Sequence, residues 1–434
     1  MGGGPGARLV SGRPQGAAPT KQSGTVGAVP PWPPFRSITM AEKSFVNSIK
    51  EDAVSTYQAV FGKNWPTWLS GIFIAVLALL FFLWQGPLGI SGGYRNWGDW
   101  VYYAIGIEST RPTEPWLHTM SVTNFGLFFG AFVSALLSRQ FKVRKTSWLE
   151  YTKGLVGGML MGIGAAFASG CNVGGFYTAI GLLSVGGYAM MIGLGIGAYL
   201  GLRYLIWEME HISVKPAAPE EPRQGGIDWA KIQPWFGWLF LLVGIAAFYI
   251  YSMFEKTQLG GLLFLGILLG VSMHRARFCF VRAFRDPFMT GESEMVKVIA
   301  LSLMVYGLGS AVIKWNYLQP EMMGVIHPFW IGSLVGGTIF GVGMLLAGGC
   351  ATSTLWRLGE GHTKLAIALL GFILSNPVTS WFLQKSGLDP LLGKGLFLPK
   401  VVTWYFAAPI FVLVLVIWVL GARWNEKTEK FVVI

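Results

Sequence analysis

The sequence predicts an all-α, polytopic membrane fold of about nine to ten spanning helices, with an inverted internal repeat and short re-entrant helices. Three observations carry this. Hydrophobic residues make up 53 % of the 434-residue chain and charged residues only 12 %, against roughly 25 % charge in a soluble domain. Apolar runs recur at about 20 residues, the length that crosses roughly 30 Å of hydrocarbon. Two glycine-rich segments also repeat one another, LVGGMLMGIGAAFASGC at 155–171 and LVGGTIFGVGMLLAGGC at 334–350, with 9 of 17 positions identical.

The elements follow in order. Residues 1–39 are rich in Gly, Pro, Ser and Ala, lack an apolar run and read as a disordered extension. Met40 opens a charged, helix-friendly stretch and is a second candidate start. A first membrane half, 40–207, holds candidate spans at 67–86, 118–138, 154–170 and 187–207. The aromatic tract 92–117 between the first two reads as a cap resting at the interface. Residues 208–234, charged and proline-rich, form a linker. The second half, 235–422, holds candidates at 235–253, 258–272, 297–313, 328–349, 364–384 and 402–421, and 423–434 is a tail. The piece 173–184 is only about 17 Å long as a helix, too short to cross. Five spans then separate the end of one glycine-rich copy from the end of the other, which places them in opposite orientations, the plan of many transporters.

The net charge of +12, from 33 Lys+Arg against 21 Asp+Glu, requires no nucleic acid. Lys and Arg crowd into one alternating set of loops by roughly threefold, which puts both termini and the linker in the cytoplasm. No Ser/His/Asp order, phosphate-binding loop or Walker motif is visible, which disfavours an ATP-driven pump. The histidines (His118, His211, His274, His327, His362) have no metal spacing, and neither metal nor cofactor is expected.

Chemistry concentrates on the three cysteines. Cys171 and Cys350 end the two glycine-rich copies, directly after Gly170 and Gly349, and Cys279 lies in HRARFCFVRAFRDPF. Re-entrant segments from opposite faces meet near the midplane, where irregular backbone survives only when it lines a cavity. A lone membrane cysteine is commonly an apolar filler; three at related places suggest a thiol-lined pathway. Soft sulfur suits a ligand with a soft exposed atom, such as thiosulfate, a persulfide or a selenium analogue, whereas sulfate is better served by backbone N–H groups and arginine. Asn172 is expected either to bind another helix or to touch substrate. Helix amino termini after Gly170 and Gly349 add partial positive charge. Arg275, Arg277, Arg282 and Arg285 around Cys279, with Arg357 beyond Cys350, either anchor the chain at the cytoplasmic face or gather an anion at the inner mouth.

FASGCNVGGFYTAIG, FGVGMLLAGGCATSTLWR and RARFCFVRAFRD together resemble the YeeE/YedE family of bacterial inner-membrane proteins, over roughly 65–422. The resemblance implies a multi-pass inner-membrane channel or transporter that takes up a sulfur- or selenium-containing anion. Cys171, Cys279 and Cys350 correspond to the family's pathway cysteines, and a small cytoplasmic sulfur-carrier protein is the implied partner beside lipid. The family's thiosulfate channel has a further cysteine in its first half; the expected counterpart here, SRQFKVRK at 138–145, has none. The alternative is a membrane-bound sulfurtransferase, in which Cys279 or Cys350 takes persulfide sulfur and passes it to such a carrier.

Overall fold

The computed structural model describes residues 47, 50–212, 229–315 and 329–433. The chain divides into two compact units, Met1–Thr56 and Tyr57–Ile434. In the first, the described residues 47 and 50–56 are helical; the extension 1–39 and Met40 lie outside the described residues, as does His327.

The described part of the second unit is built from helices α1 (Thr67–Trp84), α2 (Ser91–Ala104), α3 (Thr119–Leu137), α4 (Trp148–Phe167), α5 (Asn172–Gly181), α6 (Gly186–His211) and α7 (Trp229–Met253). Then come α8 (Thr257–Ala276), α9 (Phe280–Met289), α10 (Glu294–Trp315), α11 (Ile331–Ala347), α12 (Ala351–Gly359), α13 (Thr363–Ser386) and α14 (Leu398–Thr428). Among the described residues, nine stretches are long and apolar enough to cross a membrane, or ten if α4 and α5, bent by 46°, count as one span. The protein is an all-α polytopic membrane protein.

Lipid tails are as apolar as leucine, so helices in a bilayer associate through close packing rather than hydrophobic burial. Glycine supplies that closeness. On α4 and α11, Gly157 faces Gly343 and Gly164 faces Gly336, so the two helices cross in opposite directions with their backbones touching. A second row on α4, through Gly158, meets the Ala368 carbonyl of α13, and Gly193 and Gly197 of α6 meet the backbone of α11 around Leu334 and Thr338. A side chain at any of these positions forces two helix backbones apart.

The packing partners form matched sets. α4 packs on α13 and α11 on α6; α1 on α10 and α8 on α3; α2 on α13 and α9 on α6; α12 on α3 and α5 on α10; α7 on α3 and α14 on α10. Each pairing becomes the next when every helix is exchanged for the one seven places away.

Several boundaries differ from the sequence expectation. The short candidates 154–170 and 258–272 are full helices, because each recruits a polar or amphipathic turn that hydropathy alone passes over (α4 from Trp148, α8 to Ala276). α6 continues to His211 and α7 starts at Trp229, so both ends of the supposed linker are helical; 213–228 lies outside the described residues. α14 runs to Thr428, well into the supposed tail. The tract 92–117 is no surface cap: its first part is α2, whose Gly93, Tyr94, Asn96 and Gly98 are buried. Gly93 sits against Met120 and Gly98 against the Ile373 carbonyl, a wedge between α3 and α13 that only small residues permit.

Candidate functional site

All three cysteines are buried, free thiols at the amino-terminal cap of a short helix: Cys171 before α5, Cys279 before α9 and Cys350 before α12. Local sequence explains two of these stops. α4 is ended by Ser169 and α11 by Gly348, at φ of 54° and 76°, the left-handed turn that closes a helix. The chain then runs extended through the cysteine (ψ −176° at Cys171, 177° at Cys350) and starts a new helix in a new direction. The first N–H groups of that helix have no intrahelical partner and carry its positive dipole end toward the thiol. At Cys350 the Ser353 N–H donates to Sγ at 3.4 Å.

The thiols of Cys279 and Cys350 meet at one side chain. Ser353 Oγ lies 3.2 Å from Cys279 Sγ and 3.1 Å from Cys350 Sγ. The Asn172 carboxamide adjoins Cys350. It is fully buried, and among the described residues neither of its polar atoms has a hydrogen-bond partner; Thr352 Oγ1, also buried, has none. Tyr94, carried inward by α2, lies close to both Cys171 and Cys350 and donates its hydroxyl proton to the Ala351 carbonyl at 2.8 Å.

A cavity of about 430 Å³ leads toward this cluster, lined in part by Ser91, Arg95, Met120, Gly170 and Thr178. Ser91, in its lining, accepts a hydrogen bond from the Cys171 N–H at 3.3 Å. Gly170 lines the cavity, whereas Gly349 is packed between Leu365 and Ser353. Met120 marks the first turn of α3, and the charged groups around Cys279 gather near its other end, where Ser134 meets His274 at 2.9 Å. A second cavity of about 590 Å³ opens among α4, α6, α9 and α11, with Lys153, Glu208, Arg285 and Lys364 in its lining.

The arginines do not form one free basic mouth. Arg275 is fully buried and donates to the carbonyls of Val60, at 3.1 Å, and Lys63. Arg282 and Arg285 both bind Asp286, with Nε–oxygen distances of 2.9 Å. Arg277 binds Glu360 at 2.7 Å, and Arg357 donates to the Gly348 carbonyl at 2.8 Å, closing the end of α11. Each is therefore held by a partner; only Arg277 and Arg357 share one cluster, around Trp356.

The matched pairings set α2 opposite α9, and Ile90 stands at the amino-terminal cap of α2 where Cys279 stands at that of α9. Repeat alignment at 155–171 does not reach that far and gives no register there. Ser353, Tyr94 and Glu360 were not singled out by sequence. The spacing CxxS after GGC was a usable signal for Ser353; Tyr94 and Glu360 depend on contacts across the fold.

A family model described as sulphur transport matches residues 16–200 and 275–432. The chain is similar to the probable transporter YedE of Escherichia coli K12, 26 % identical over 335 residues that cover 74 % of this chain and 82 % of that protein. It is also similar to two proteins named thiosulfate transporter TsuA. With that of Escherichia coli K12 it shares 39 % identity over 114 residues, 26 % of this chain and 32 % of the relative. With that of Spirochaeta thermophila it shares 29 % over 199 residues, 39 % of this chain and 56 % of the relative. With the match running through both glycine-rich copies and all three cysteines, the chain belongs to the sulphur-transport family.

Proposed function

We propose that this protein carries a sulfur-containing anion of the thiosulfate type across the bacterial inner membrane into the cytoplasm, along a passage that runs from the 430 Å³ cavity past Cys171 to Cys350 and Cys279. One observation carries the reading: two thiols from distant parts of the chain converge on the Ser353 hydroxyl, in a buried centre that also holds an unpaired carboxamide. Thiols hold a polarizable sulfur weakly enough to release it, as passage requires. The Asn172 amide and Thr352 hydroxyl suit the anion's oxygens.

The two halves are read as an inverted repeat. The matched helix pairings and the opposed crossing of α4 and α11 support this, as does the 9-of-17 identity. Such a repeat brings two helix breaks to the midplane from opposite faces. In this orientation both termini are cytoplasmic. A selenium-containing anion of the same shape fits the same chemistry, and a small soluble sulfur-carrier protein is the receiving partner.

Uptake of radiolabelled thiosulfate and selenite into proteoliposomes tests the reading. Cys171→Ala, Cys279→Ala and Cys350→Ala are each expected to cut thiosulfate flux; unchanged flux in all three removes the thiol passage. A stable mass adduct on Cys279 or Cys350 after substrate exposure would support the sulfurtransferase instead.

A further inference from the structure

We infer that the far end of the passage contains a second, thiol-free site for a small tetrahedral oxyanion, built from Arg144, His274, Arg277, Trp356 and Arg357, in which the Glu360 carboxylate occupies the anion's place. The transport reading supplies the direction from which an anion arrives; the site itself rests on its own geometry.

Glu360 is 1 % exposed. Its Oε1 lies 2.7 Å from Arg277 Nη1, 3.6 Å from Arg144 Nη2 and 4.0 Å from His274 Nε2, and its Oε2 lies 3.7 Å from His362 Nδ1. Two arginines and two histidines therefore face one carboxylate. Arg277 and Arg357 stack on Trp356 from 5.8 and 5.7 Å, and the His274 ring stands 6.3 Å from it. This crowd leaves hydrogen-bonding capacity unused. Among the described residues, His274 Nε2, Trp356 Nε1, Arg357 Nε and Glu360 Oε2 are buried and have no hydrogen-bond partner. Trp Nε1 and Arg Nε are donors only, and leaving a buried donor unpaired is costly. Several such atoms around one arginine–carboxylate pair point to a ligand with more acceptor oxygens than a carboxylate has. A sulfate-like group, or the sulfonate end of thiosulfate, has three or four, and the guanidinium fork is shaped to bind two of them.

Position links the site to the thiols. Ser353, Trp356, Arg357 and Glu360 follow i, i+3, i+4, i+7 spacing and share one face along α12 and its carboxyl end. About 10 Å of helix rise separates Ser353 from Glu360. The same order holds on the other wall, where His274 and Arg277 precede Cys279 directly. An anion whose soft atom leaves Cys279 thus meets hard donors next. Glu360 gives the empty site a counter-charge and has to be displaced from Arg277 on arrival, which weakens binding and speeds departure.

The test is equilibrium binding of radiolabelled sulfate to the purified full chain in lipid nanodiscs, because sulfate has no terminal sulfur for the thiols. Glu360→Gln is expected to tighten sulfate binding by about tenfold or more, since the internal competitor for a charge-assisted site is gone. Adding Arg277→Gln is expected to abolish that gain. Trp356→Phe, which keeps the ring and removes the N–H, is expected to weaken sulfate binding several-fold on its own. Unchanged sulfate affinity in a folded, monodisperse Glu360→Gln protein overturns the site. If that variant does not fold, unchanged affinity in Trp356→Phe overturns it equally. Thiosulfate flux through the cysteine variants is read separately: loss of the thiol passage with the sulfate response intact leaves this site standing, and the converse leaves the passage standing.

Discussion

Cys279 and Cys350 share a single hydroxyl, with Ser353 Oγ 3.2 Å from one sulfur and 3.1 Å from the other. A serine hydroxyl has one proton to donate and two lone pairs, so at any instant it donates to one thiol and is free to accept from the other. Reversing the hydroxyl exchanges the roles of the two sulfurs without moving the backbone. On the proposed passage, a soft atom handed from one thiol to the next would pass through that exchange.

Ser353→Ala is therefore expected to lower thiosulfate uptake by about fivefold, the scale of one neutral hydrogen bond of roughly 1 kcal/mol. Ser353→Thr, which keeps the hydroxyl, is expected to retain most of the flux. Proteoliposome uptake measures both; equal flux in the alanine variant and the parent would mean that the hydroxyl only fills space.

Asn172 is fully buried beside Cys350 with both amide atoms unpaired. Asn172→Asp puts a negative charge there at nearly constant shape. Two like charges about 4 Å apart repel by about 4 kcal/mol at an effective dielectric of 20. Anion uptake is expected to fall by a hundredfold or more on that basis. Asn172→Ser is expected to be much milder, and similar flux in the two variants would place Asn172 away from the passing charge.

Arg275 is held by the carbonyls of Val60 and Lys63, which ties the segment before α1 to the end of α8. Arg275→Gln keeps a donor but loses the charge and the two-point grip. It is expected to cost about 2–3 kcal/mol of stability, the scale of charged hydrogen bonds, visible as a lower melting temperature in detergent. The salt dependence of uptake is expected to stay as in the parent. A changed salt dependence at unchanged melting temperature would instead assign Arg275 to the anion's path.

Gly164 packs on the backbone of Gly336 and Phe340, and Gly343 on that of Gly157 and Met161. Gly164→Ala and Gly343→Ala each place a methyl against backbone that has no room to give. Each is expected to cost about 1–3 kcal/mol, the usual range for overpacking, with similar losses in melting temperature for both because the two contacts are equivalent. Ala substitution at Gly195, where the added atom meets nothing within 4 Å, provides the contrast.

Much of the architecture was legible because the bilayer imposes a one-dimensional rule: backbone polar groups have to be paired internally over about 20 residues. Composition and run length therefore gave the class and nearly every span, and the short candidates 154–170 and 258–272 failed only at their polar turns. The 155–171 and 334–350 copies marked both helix breaks, and with them Cys171 and Cys350, since a left-handed stop at Ser169 or Gly348 followed by a restart is encoded within a few residues. Hydropathy misjudged α2. Its amphipathic composition reads as an interfacial cap, while its glycines fit it between α3 and α13.

The order of amino acids alone marked this chain as a helical membrane protein with a repeated glycine-rich core, and put its three cysteines at related places. It did so because these properties depend on residue type and local spacing. Three-dimensional packing alone brings Cys279 and Cys350 together on Ser353, carries Tyr94 to the thiols from α2, and sets Glu360 between Arg144 and Arg277. Those relations join residues far apart along the chain. They arise from where helices cross, and a crossing is set by the packing of whole glycine faces against one another.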